Sequence, residues 1–227
     1  EGGHALFMMY MPEVLHKNHL ASEPSAAMHE TISRFYENVI GRSRAFCEVL
    51  LPILRKHSPE YASVTPAELY ESVTRSKPSF IRTEADELTY CAHIAVRYEI
   101  EKAFMNGDIS IEDVPAVWRD KYREYLCVDV PDDRRGCLQD VHWCDAFGYF
   151  PSYAIGSAYG VQILHRMNAD FPVWGSIRSD GLRQVTAWMK ENVFPYGHLD
   201  PDDWILKVTG EQFKPEYFTD YLLRKYS

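Results

Sequence analysis

Glu1 and His4 place a carboxylate and an imidazole at positions i and i+3, and His29 and Glu30 bring a second acid and base together. On a helix, residues three and four apart share a face. Glu1-x-x-His4 forms the last four positions of the five-residue pattern H-E-x-x-H. In that pattern two His at i and i+4 grip a zinc ion and the intervening Glu serves as general base. The first His would stand immediately before Glu1. Any Glu three residues before a His satisfies the four positions, so the pair alone carries little.

Glu30 adds to it. A carboxylate on a second helix is the third ligand in the gluzincin type of zinc site, where three protein ligands and one open position bring a bound water toward a pKa of about 7. The plain alternative for Glu30 is a carboxylate complementing the N-terminal end of its own helix.

The elements that must carry these residues read as helices. Met28, Ile32, Phe35, Tyr36, Val39 and Ile40 recur at spacings of three and four, and Phe46, Val49, Leu50, Ile53 and Leu54 continue the stripe. Pro52 is expected to kink or end the first helix. Thr65, Pro66 and Glu68 stand as N-cap, N1 and N3 of another. Pro78 to Arg82 reads as a short extended segment. Helices follow over 84–105, 111–126, 152–168, 181–193, 202–208 and 215–226. Residues 127–151 mix turn formers with aromatics and read as an irregular functional loop. The expectation is one mainly α-helical unit, 1–227, with at most a short extended or β segment near 78–82.

Composition excludes several classes. The chain has 227 residues, 46% of them hydrophobic and 25% charged, an ordinary globular mix. Thirty-three acids against 24 bases give a net charge of −9, which argues against a nucleic-acid binder. The five Cys are scattered without a C-x-x-C pair, arguing against a disulfide framework or a Cys-type zinc site and for a reducing compartment. No apolar run reaches the length needed to span a bilayer. The start lacks Met and a leader pattern, and reads as the interior of a longer chain.

Five motifs in order resemble the C-terminal half of the M32 family of metallocarboxypeptidases, the thermostable carboxypeptidase group that includes protozoan members. Glu1-Gly2-Gly3-His4-Ala5-Leu6 resembles the family's HEGGHAL. His29-Glu30, followed by Glu37-Asn38 and Gly41-Arg42-Ser43, resembles HES…WEN…GRS. Ile81-Arg82-Thr83-Glu84-Ala85-Asp86-Glu87 resembles IRxxADE, Leu138-Gln139-Asp140-Val141-His142-Trp143 resembles LQDxHW, and Gly148-Tyr149-Phe150-Pro151-Ser152-Tyr153 resembles GYFPxY. The departures are Thr31 in place of a Ser, Phe35-Tyr36 in place of Leu-Trp, and a shorter, less Gly-rich stretch at 144–146. The family's DxRxT and HPF motifs belong upstream.

The resemblance implies a gluzincin-type peptidase fold and one divalent metal per subunit, zinc or cobalt, held by His4, Glu30 and the missing His. Glu1 would be the base toward metal-activated water. Tyr153 would be a phenolic donor to the oxyanion, with Tyr149 in reserve. Arg82 would meet the free C-terminal carboxylate of a peptide, its planar fork suiting a carboxylate. A structural ion pair is the alternative for Arg82, and a core aromatic the alternative for Tyr149. His142 would line the cleft, while His29 and Asp86 would orient ligands or Arg82 from behind. The other His, His93 among them, read as surface or packed residues. The resemblance also implies peptide substrates with a free C-terminus, a homodimer, a missing N-terminal half and a cytoplasmic setting, with no nucleic-acid or membrane partner. Two rival readings are a non-catalytic helical fragment or dimerisation module, and a gluzincin endopeptidase.

Overall fold

The computed structural model describes residues 1–19, 21 and 25–227, and among them every regular element is a helix. The chain divides into two compact units, one formed by Glu1–Thr74 with Ile155–Ser227, the other by Arg75–Ala154.

In the first unit α1 (Gly2–Tyr10) and α2 (Glu13–Lys17) precede α3 (Ala26–Arg34), which Ser25 caps by accepting from the Ala27 N–H. The long stripe read from Met28 onward is not one helix. A π-helical turn, Phe35–Ile40, interrupts it, with the Gly41 N–H donating five residues back to the Tyr36 carbonyl at 2.9 Å. The chain then restarts as α4 (Arg44–His57), with Ser43 Oγ accepting from the Phe46 N–H at 3.1 Å. Pro52 therefore lies inside α4 and does not end it. The helix absorbs the lost N–H because Pro52 is exposed while its neighbour Leu51, with Cys47, packs on Leu69 of α5 (Pro66–Thr74). The α5 start is the expected capping box: Thr65 Oγ1 accepts from the Glu68 N–H, and Glu68 Oε2 accepts from the Thr65 N–H at 2.8 Å.

The second unit is built on α6 (Glu87–Asn106) and α7 (Val114–Leu126), packed through Val96, Ile100, Trp118 and Tyr122. The segment near 78–82 forms no strand. Ile81 is extended, but Arg82 already opens a 3-10 turn, Arg82–Glu84, ahead of the Asp86 cap of α6. Gly107, at φ 77°, ends α6 in the left-handed conformation that glycine adopts without steric cost. The aromatic-rich stretch 127–150 contains a 3-10 turn, Cys137–Gln139, and one short α-helix, α8 (His142–Asp145), before α9 (Pro151–Asp170) begins.

The first unit resumes with α9 from Ile155, then α10 (Val173–Asp180), α11 (Arg183–Asn192), α12 (Pro201–Thr209) and α13 (Glu216–Tyr226). Helix α10 is absent from the sequence reading because it is short and contains Gly175. Gly181, read there as a helix start, instead follows α10 at φ 64°. No helix among the described residues is long and apolar enough to cross a membrane.

Because the restart after the π turn depends on one hydroxyl, Ser43→Ala should lower stability by about 1 kcal/mol. Chemical denaturation would measure it, and an unchanged midpoint would remove Ser43 as the cap that matters.

Candidate metal centre and its neighbours

The centre is assembled in the first unit by three helices brought unusually close. A Cβ on Gly3 of α1 would lie 2.6 Å from the Ile32 carbonyl oxygen and from Ser33 Cα of α3. A Cβ on Gly156 of α9 would lie 2.8 Å from Glu30 Cβ and 2.9 Å from the Glu30 carbonyl carbon. Only glycine permits these approaches, and both are made to the stretch of α3 that carries Glu30.

Glu30 is 6% exposed, and its Oε2 accepts from Ser33 Oγ at 2.7 Å. The Ser33 hydroxyl also reaches the Glu30 carbonyl at 3.0 Å, which holds it on the same helix turn. His4 Nε2 lies 3.9 Å from Glu30 Oε2. On its other side His4 Nδ1 meets Nδ1 of His29, and the two rings stack with centroids 4.5 Å apart. Phe7, fully buried, abuts His29 edge-on at 5.3 Å.

The imidazole contact has a consequence for tautomers. One Nδ1 must donate and the other accept. If His4 donates to His29, its Nε2 keeps a free lone pair on the side where Glu30 lies, which is the form a metal requires. The helix-dipole alternative for Glu30 does not account for the geometry. Glu30 stands beyond the first turn of α3, where that effect has faded.

His4 and Glu30 thus fit as two ligands of an open three-ligand site. A third ligand is not found with them: no group of three or more His, Cys, Asp or Glu suited to a metal occurs among the described residues. Glu1 is exposed and stands at the N-cap of α1, the helix that carries His4.

The remaining candidates lie in the second unit, around Asp140. Arg82 is 6% exposed; its Nε donates to Asp140 Oδ1 at 2.8 Å and its Nη1 to the Tyr90 hydroxyl at 3.0 Å. Arg97, fully buried, donates from Nε to Asp140 Oδ2 at 2.7 Å. Gln139 bridges the pair, its Oε1 accepting from the Arg82 N–H and from Arg97 Nη2. The carboxylate that orients Arg82 is therefore Asp140. The expectation that Asp86 does so is corrected: Asp86 accepts from Ser76, Lys77 and Thr89 as the cap of α6.

Tyr153 sits beside Arg82, whose guanidinium lies 5.0 Å from its ring centre. Its hydroxyl is 3.0 Å from His142 Nε2. Burial, and then the positive charge of Arg82, hold His142 below its ordinary pKa, so it is the neutral ring. Asp140 Oδ1 lies 4.0 Å from His142 Nδ1, beyond hydrogen-bonding distance, and Nδ1 is buried without a hydrogen-bond partner among the described residues. Tyr149 packs edge-on to Tyr153 at 5.2 Å.

Sequence reasoning missed Ser33, Arg97 and the ion-pairing role of Asp140. Asp140 lay inside a quoted motif, but its partners stand far away along the chain. His93 is a packed residue, fully buried, with Nδ1 on the Tyr122 hydroxyl at 3.1 Å. Burial, joined by the charges of Arg97 and Arg82, pushes its pKa down to about 3.

The fold is that of a mainly α-helical metallopeptidase family. Residues 1–226 match the profile of the Carboxypeptidase Taq (M32) metallopeptidases, and the chain belongs to that family. It is 40% identical to Carboxypeptidase 1 of Bacillus subtilis over 231 aligned positions, covering 100% of this chain and 46% of that protein. It is 34% identical to Thermostable carboxypeptidase 1 of Pyrococcus furiosus, again covering 100% of this chain and 46% of the relative. The solved structure of Trypanosoma cruzi metallocarboxypeptidase 1 superposes with a TM-score of 0.93 at 35% identity, over 99% of this chain and 48% of that one. The chain spans about half the length of the relatives it matches.

Gly156→Ala should force α9 away from Glu30 and cost about 1–3 kcal/mol by overpacking. A wild-type melting temperature would show that the contact can relax. The His93 pKa gives a second expectation. Unfolded, His93 takes a proton near its ordinary pKa of about 6.5, whereas folded it stays neutral until about 3. The unfolded state then binds more protons, so stability falls as pH drops through that window and is unaffected above it. His93→Gln should flatten this decline in urea midpoints between pH 6.5 and 4; parallel profiles would refute it.

Proposed function

We propose that this chain supplies the metal-binding helix pair of a metallocarboxypeptidase, which in its complete form releases amino acids from the C-termini of peptides. The carrying observation is the buried Glu30 carboxylate with His4 Nε2 3.9 Å away, in a member of the M32 family. His4 and Glu30 would hold one divalent cation, zinc or cobalt, with a His preceding Glu1. When bound, the cation supplies Lewis-acid polarisation of water and of the scissile carbonyl.

The chain's own residues do the rest. Glu1 takes the proton of the attacking water and returns it to the leaving amine. Tyr153 offers its hydroxyl hydrogen to the developing oxyanion while its oxygen accepts from the Nε2–H of His142. Arg82 recognises the terminal carboxylate through Nη2, since Nε and Nη1 are engaged by Asp140 and Tyr90. Tyr149 and His142 line the substrate path. The reading includes an N-terminal half, a homodimer and a cytoplasmic setting.

A second reading is favoured by the lack of a third ligand among the described residues: residues 1–227 alone form a folded, non-catalytic fragment. Metal analysis separates the two states, since tight stoichiometric zinc in the 227 residues alone would contradict that second reading. In the complete enzyme, Glu1→Gln should keep its metal and lose about 10²–10⁴-fold in kcat, because an amide cannot accept the proton. Peptides with amidated C-termini should resist cleavage. Equal turnover of free and amidated peptides would replace the exopeptidase reading with an endopeptidase.

A further inference from the structure

A second site lies within the unit formed by Glu1–Thr74 and Ile155–Ser227, and it uses none of the residues assigned above. It is a cleft of about 420 Å³, a size usual for small-molecule sites. Its floor is apolar and closed: Val39, Ala45, Val161 and Leu164 are each at most 6% exposed. Its wall includes Trp174 and the Tyr217 ring, which lies against His165 with centroids 4.3 Å apart.

The charge of its lining is opposite to that of the chain. Arg44, Arg178, Arg224 and Lys225 line the cleft and no Asp or Glu does, although the whole chain carries a net charge of −9. The cations come from three elements, α4, α10 and α13. Arg178 is neutralised by Glu48, Nε to Oε2 at 2.6 Å. Arg44 lies over the Tyr70 ring at 4.7 Å, and the carboxylate whose charge it feels, Glu48, is already hydrogen-bonded by Arg178. Arg224 donates from Nε to the Asp220 carbonyl at 3.1 Å, which leaves its charge uncompensated. Lys225 Nζ donates to the Asn38 carbonyl and the Tyr221 hydroxyl.

Arg44 and Ala45 are also the first two residues of α4, whose backbone N–H groups a helix leaves without internal partners. Guanidinium forks converging with such N–H groups suit an anion bearing several oxygens and more than one negative charge. A monocarboxylate would leave most of this positive charge unmatched.

We propose that this cleft binds a small organic phosphate with a flat ring, of the nucleoside monophosphate class. The phosphate meets Arg44 and Arg224 near the start of α4, and the ring lies on the apolar floor against Trp174 and Tyr217. The proposal is independent of the peptidase reading, and its readout is binding.

Trp174 fluorescence and calorimetry on the protein would be recorded with AMP, adenosine, inorganic phosphate and N-acetylphenylalanine. AMP should bind at least about tenfold more tightly than adenosine or phosphate, a difference of ~1.4 kcal/mol, and its affinity should fall as salt rises. Arg44→Gln and Arg224→Gln change exposed side chains, so folding should survive, as a thermal melt would verify. Each should weaken AMP about five- to tenfold and leave adenosine unchanged. Adenosine binding as tightly as AMP, or variants indistinguishable from the parent, would overturn the proposal. Tighter binding of N-acetylphenylalanine would overturn it in favour of a carboxylate ligand.

Discussion

Glu30 sets the terms for the unit that contains it. A carboxylate so nearly removed from water must be matched by donors or by a cation, because an unpaired buried charge costs several kcal/mol. Ser33 supplies one hydrogen bond to Oε2, and the His4 ring presents Nε2 to the same oxygen from 3.9 Å away. The surrounding architecture keeps water out. Gly3 and Gly156 let α1 and α9 lie directly on the backbone of α3, and Phe7 fills the space behind His29. A side chain at either glycine would open a gap beside the carboxylate.

The second unit solves a related problem with a different set of groups. Asp140 accepts from two buried guanidiniums, one on each oxygen, and Gln139 Oε1 accepts from the Arg82 backbone N–H and from Arg97 Nη2. One carboxylate against two cations leaves an excess of positive charge, and it is spread over aromatic faces: Arg97 on Trp118 at 4.6 Å, Arg82 on Tyr153 at 5.0 Å. That excess, together with burial, explains why His93 and His142 both favour the neutral ring. A third cation there would be unmatched.

The helices were legible wherever a cap or a terminator was local. Thr65 to Glu68 and Asn106-Gly107 announced their roles in adjacent residues, and both stand as read. The interruption at Phe35–Ile40 was not legible, because a π turn keeps the same apolar residue types and changes only which carbonyl each N–H meets. Helix α10 was hidden by its brevity. At the site, His4 and Glu30 were visible through a spacing pattern and the family resemblance. Ser33 and Asp140 were not singled out, since a side chain's partner across the fold leaves no mark in the neighbouring sequence. Asp86 misled for the reverse reason: its place in a quoted motif suggested a task near Arg82, whereas its hydrogen bonds are those of an ordinary cap.

The π turn has an implication for how this lineage can change. A turn of that kind holds one more residue than an α turn, so removing a single residue between Phe35 and Ile40 would let α3 run on as ordinary α-helix only as far as the break at Ser43. The cost would fall on the side chains of the turn itself, since Phe35, Asn38, Val39 and Ile40 are buried and would be re-aimed. Residue identity is therefore restrained at those four positions as tightly as length, while the exposed Glu37 is the place in the turn where natural variants should differ.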